Sequence, residues 1–101
     1  MLTHGLLVRL EAQPGKENAV AAFLRDALAM AREEARTPVW FAVRLGPRSF
    51  GVFDAFADQP SMEAHLSGPI AAALMGRADA LLAQPPVIER LDVLGAKVDR
   101  A

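Results

Sequence analysis

The chain has 101 residues, no cysteine and a net charge of −1, with 52% hydrophobic and 23% charged residues. That length allows one core and one domain, and the composition is globular rather than disordered. It lacks a basic stripe for nucleic acid, a thiol for disulfide, metal or nucleophilic chemistry, and an apolar run long enough to span a bilayer. The start, MLTHGLLVRLEA, has no basic stretch followed by a long apolar one, so it does not read as a signal peptide. Together with the missing cysteines, this fits a cytoplasmic protein.

Thr3 to Ala12 reads as a strand, with Leu6, Val8 and Leu10 on one face and Leu7, Arg9 and Glu11 on the other. Pro14-Gly15 ends it. Lys16 to about Ala35 has helical spacing, its stripe formed by Val20, Phe23, Leu24, Ala27, Leu28 and Ala31. Arg36-Thr37-Pro38 connects to a second strand, Val39 to Leu45. Gly46 to Ser49 then looks like a hairpin loop, and Phe50 to Phe56 like its antiparallel partner.

A short helical segment follows, ending at Leu66 and carrying His65. Ser67 is the expected N-cap of the next helix, with Pro69 in its first turn. Ile70, Leu74, Ala78 and Leu81 form the apolar side of that helix. Ala71, Ala72, Ala73 and Gly76 suit close packing on a sheet. Pro85-Pro86 stops it, and Val87 to Val98 reads as a long final strand.

The order β-α-β-β-(α)α-β is the split βαβ of an α+β, ferredoxin-like domain: a four-stranded antiparallel sheet with helices on one face. The second and third strands carry large apolar groups on both parities, for example Phe41 against Trp40 and Phe53 against Val52. A half-exposed sheet should alternate apolar and polar. A second copy packed sheet on sheet would cover the open face, in a contact on the order of 2,000 Å² or more.

Chemistry concentrates between Phe50 and Pro69. Asp54 interrupts an apolar strand, and a buried carboxylate needs a partner or a raised pKa. Arg9, Arg44 and Arg90 are the candidate partners; the sharper alternative is that Asp54 orients His65 or binds a substrate hydroxyl. His65 is either a ring that caps a helix end or a general base, since a neutral imidazole titrates near the operating pH. Arg44 either pairs across the sheet or interface, or stabilises a substrate anion. Trp40 and Phe41 point to opposite faces, so only one can line a given cavity; Phe53 is a further wall candidate. The two histidines, His4 and His65, have no metal-ligand spacing, so no metal is expected. Gly46, Gly51 and Gly68 are isolated, so no phosphate loop is expected either.

With QPGKENAV entering the first helix, VWFAVRLGPRSFGVFDAF as the hairpin and AHLSGPIAAAL after it, nearly the whole chain resembles the antibiotic biosynthesis monooxygenase family of dimeric α+β barrels. The resemblance implies a homodimer with one cavity per subunit between helices and sheet. It implies relatives that oxidise quinols or polyketide aromatics without flavin or metal, and others that degrade haem. Such oxygenases often place Asn, Trp, Tyr and Arg around the substrate. This chain has no Tyr and its only Asn, Asn18, lies in a first helical turn, whereas Trp40 and Arg44 remain. The segment GPIAAALMGRADALL supplies no axial histidine, which disfavours haem degradation.

The resulting expectation is a cofactor-independent monooxygenase acting on a small aromatic or quinol-like substrate. His65 and Arg44 are its catalytic residues; Trp40, Phe41, Phe53 and Asp54 are its substrate contacts. A non-catalytic ligand-binding protein, or a cofactor-free isomerase or cyclase, is the alternative on the same fold.

Overall fold

A computed structural model describes residues 1–99. The elements run β1 (His4–Glu11), α1 (Glu17–Arg32), β2 (Val39–Arg44), β3 (Ser49–Phe56), α2 (Gln59–Leu66), α3 (Pro69–Leu81) and β4 (Val87–Asp92). The sheet order is β2-β3-β1-β4, with antiparallel pairing throughout. This is the expected ferredoxin-like arrangement.

Register decides the two faces. Leu6 pairs with Asp54, Val8 with Val52 and Leu10 with Phe50, so these positions share one face. Trp40 pairs with Asp54 and Arg44 with Phe50, which adds them to it. The helices cover this side: Leu10, Phe50 and Val52 pack with Val20, Ala21 and Leu24 of α1 and with Leu81 and Leu82. The second core cluster joins Leu6, Phe56 and Met62 of α2.

Local features set where the elements begin and end. Gly15 alone among the glycines has positive φ, at 87°, and lets the chain turn from β1 into α1. Asp58 caps α2 by accepting from the Ser61 N–H at 2.8 Å. Gln13 Nε2 donates to the Asp79 and Leu82 carbonyls, satisfying acceptors that the end of α3 leaves free.

Three local expectations are corrected. Ser67 does not cap α3; it closes α2, its hydroxyl donating to the Glu63 carbonyl at 3.0 Å, and Gly68 takes the N-cap position. The final strand stops at Asp92 rather than Val98, because β4 runs out of β1 to pair with beyond His4. The small residues of α3 do not mark a tight sheet contact: Gly76 has open space where a Cβ would stand, and α3 reaches the sheet core through Leu74, Ala78 and Leu81 while packing also on α1 and α2.

The other sheet face carries Leu7, Val39, Phe41, Val43, Phe53 and Val87, with Phe41 59% exposed. Gly51 and Ala55 are buried on this face, and Val43 and Leu45 lie over Gly51. No helix is long and apolar enough to cross a membrane among the described residues.

The burial pattern separates two leucines that the sequence treats alike. Leu6 is fully buried and Leu28 is 39% exposed. Leu6→Ala is expected to cost about 2–5 kcal/mol in urea unfolding, whereas Leu28→Ala changes stability by no more than about 0.5 kcal/mol.

Candidate functional site

Three segments bring ionisable groups together under the helices. Asp54 sits in the middle of β3, fully buried. His65 lies in the last turn of α2, 8% exposed. Glu34 follows the end of α1 and is half-buried. The His65 ring stands between the two acids, with Nδ1 2.6 Å from Glu34 Oε1 and Nε2 2.9 Å from Asp54 Oδ2. Phe56 flanks the ring at 5.5 Å between centroids. The Thr37 hydroxyl donates to the same Glu34 oxygen at 3.0 Å.

The two contacts differ in kind. Nδ1 and Glu34 Oε1 have hydrogen-bond geometry. Asp54 lies at ion-pair distance, yet neither of its oxygens meets hydrogen-bond geometry with any donor. Charge attraction at this distance does not depend on angle, so the second contact acts chiefly through charge.

Burial lowers the pKa of His65, but the Asp54 and Glu34 carboxylates, 2.9 and 2.6 Å from its ring nitrogens, outweigh it. The result is a rise from 6.5 to about 9. The ring therefore carries its proton at neutral pH. An imidazolium has no lone pair to accept a proton, which weighs against the general-base role expected for it. The helix-end cap is also displaced: the ring bonds to Glu34, not to the backbone near Ser67-Gly68.

Of the expected partners for Asp54, none reaches it. Arg9 pairs with Glu89 and Arg90 with Glu63. Arg44 donates to the Gly46 and Pro47 carbonyls and lies 4.9 Å from the Phe50 ring centre. The structure brings Asp54 to His65, and Trp40 beside Asp54 as its register partner. It does not bring Phe41 or Phe53 to Asp54; both belong to the open sheet face, although Phe41, on the edge strand, also borders the cleft that Trp40 lines. Arg44 shares the helix-facing side but stands opposite Phe50, about 13 Å along the strand from Trp40.

The Trp40 Nε1, both Asp54 carboxylate oxygens and Glu34 Oε2 are buried without a hydrogen-bond partner. Such groups are rare in folded proteins and mark places where a donor or acceptor is missing. Trp40 also borders a cleft of about 330 Å³ between α1 and β2. Asp54 does not line it. His65 and Glu34 border a smaller pocket, about 240 Å³, near Thr37 and Ser61. Among the described residues no cluster of three or more His, Asp or Glu side chains could hold a metal ion.

Glu34 is the site residue that the sequence reading passes over. It sits in the polar run REEAR, which looks like a solvated helix end. The signal was its spacing: Ala27 and Ala31 are both buried, and Glu34 continues that row by three residues.

No protein-family model matches the chain, and no curated protein matches it. Solved structures do. A protein of unknown function from Nitrosomonas europaea is 52% identical, over 100% of this chain and 98% of that one, with a TM-score of 0.97. A Pseudomonas aeruginosa protein is 23% identical over 94% of this chain and 97% of its own, with a TM-score of 0.80. A Caulobacter crescentus protein, provisionally named an antibiotic biosynthesis monooxygenase, is 22% identical over 93% and 92%, with a TM-score of 0.79. For the latter two the likeness is one of fold.

A histidine whose pKa rises on folding stabilises the fold fully below pH 6.5, and that contribution disappears as pH climbs through about 9. The urea midpoint of the wild type should therefore fall across this window. In His65→Gln that fall should be absent.

Proposed function

We propose that this chain, which belongs to the same family as the Nitrosomonas europaea protein of unknown function and has the fold of the antibiotic biosynthesis monooxygenases, is a cofactor-independent monooxygenase. Its substrate is a small aromatic or quinol-like molecule held against Trp40. The observation that carries this reading is the Trp40–Asp54 pair. The two residues are register partners on the helix-facing side, and one offers an unpartnered N–H where the other offers a carboxylate whose Oδ1 has no partner, Oδ2 being held by His65. A phenolic hydroxyl complements both, accepting from the indole and donating to the carboxylate.

The chemistry follows from that placement. Asp54 takes the hydroxyl proton, and His65, held as imidazolium by Glu34 and Asp54, supplies the counter-charge. His65 is a positioning residue in this scheme. The resulting substrate anion is electron-rich enough to pass an electron to O₂. One oxygen atom enters a ring carbon para to the hydroxyl, replacing its single hydrogen, so that this carbon and the hydroxyl-bearing carbon become the two carbonyls of a quinone. The other oxygen leaves as water with that ring hydrogen and the proton that Asp54 took, and the substrate supplies all four electrons that reduce O₂. Because Trp40 lines the cleft and Asp54 does not, the indole must swing toward the cleft for the hydroxyl to reach the carboxylate.

Ligand binding without turnover is the second reading. It is favoured by the closure of the His65 ring, both of whose nitrogens already face carboxylates.

We also propose that the open sheet face is covered by a second copy. Phe41, Val43 and Val87 are 41–59% exposed on it, and contiguous apolar surface of this kind marks an interaction site.

Oxygen uptake over a panel of quinols and anthrones tests the activity. Uptake should occur with the wild type and fall at least about a hundredfold in Asp54→Asn, the range expected for a lost proton acceptor. Full activity in a folded Asp54→Asn chain contradicts the assigned role. For assembly, sedimentation should give a dimer at micromolar concentration, and Phe41→Glu should shift it to monomer. A wild-type monomer contradicts the covered face.

A further inference from the structure

The cleft between α1 and β2 has a chemical asymmetry that the oxygenase reading does not use. Leu24 and Leu28 of α1, with Trp40 and Phe50 of the sheet, supply apolar walls. Arg25 of α1 and Arg44 of β2 border the same space, and no acidic side chain does. Neither arginine has a carboxylate within salt-bridge distance among the described residues. Other arginines do: Arg9, Arg48 and Arg90 each pair with a glutamate. Arg44 satisfies part of its guanidinium on two loop carbonyls and lies over Phe50, an arrangement that fixes the charge at one end of the cleft.

The cleft thus has two distinct ends along β2. One is the Trp40 end, where the indole N–H has no acceptor. The other is the Arg44 end, about 13 Å away by strand geometry, where an anion is wanted. A volume of about 330 Å³ is at the small end of ligand sites. A flat aromatic of about two fused rings, with a hydroxyl at one end and an anionic group at the other, matches the length, the walls and both ends.

We infer that this cleft binds a hydroxylated aromatic acid, with its carboxylate held by Arg25 and Arg44 and its ring against Trp40. The inference rests on Trp40 as the ligand wall and adds a charge requirement and a direction. Charge-assisted bonds from guanidinium to carboxylate are the strong kind, so the anionic group should dominate affinity.

Calorimetric titration of the full chain with a hydroxynaphthoate and with the matching neutral hydroxynaphthamide tests this. The acid should bind at least about tenfold more tightly than the amide, and Arg25→Gln, an exposed position on α1, should remove most of that difference. The chain contains a single tryptophan, so the one indole N–H resonance should shift on binding and report the location. Equal affinity for acid and amide overturns the inference, as does an acid preference unchanged in both Arg25→Gln and Arg44→Gln, or an unmoved indole signal. Oxygen uptake with neutral quinols and no binding of the acid also overturns it while leaving the oxygenase reading intact. Binding of the acid as described, without turnover of any quinol or anthrone, supports it and removes the oxygenase reading.

Discussion

The structure depends on one electrostatic constraint: Asp54 is an acid in the wall between sheet and helices, and its side chain is fully buried. Leaving a carboxylate there unpaired would cost several kcal/mol. The chain answers with His65, delivered by α2, and steadies the ring with Glu34, delivered from the end of α1. A single imidazolium thus joins the middle of β3 to the junction of α1 and β2. The Arg36 guanidinium donating to the Ser61 hydroxyl and the Thr37 hydroxyl donating to Glu34 reinforce the same junction.

That arrangement is not the cheapest way to fill a core. Two carboxylates around one imidazolium leave net negative charge and several unpartnered oxygens in a dry place. Apolar residues of similar volume are often at least as stable as a buried ion pair. Its place beside an unpartnered indole N–H fits a site with a use for a proton acceptor. The same geometry also explains why His65 is unsuited to direct proton abstraction: the carboxylates that hold the ring also hold its proton.

Most of the fold was legible from periodicity. The period-two pattern of β1 and the amphipathic stripe of α1 fix their facing sides, and apolar residues on both parities of β2 and β3 signal a sheet with two demanding faces. What misled was local: β4 reads long because Val93 and Val98 continue its apolar character, yet a strand ends where its partner ends. Asp54 and His65 were recognisable as an acid in an apolar strand and a lone histidine on the next element. Their meeting was not, since it depends on how α2 crosses the sheet. Glu34 was hidden because a glutamate at a helix end is ordinarily solvated. Arg44 shows the opposite failure, an apparent partner for Asp54 that strand geometry holds four positions away, at Phe50.

The site turns on His65 being a cation locked between two acids rather than a free base. Nitrogen-15 NMR of the His65 ring at neutral pH reads this directly, because the two ring nitrogens of an imidazolium both carry protons. Both nitrogens should be protonated at pH 7 and remain mostly so at pH 8, consistent with a pKa of about 9. A neutral ring at pH 7, with one bare nitrogen, would contradict the account and return His65 to the role of base.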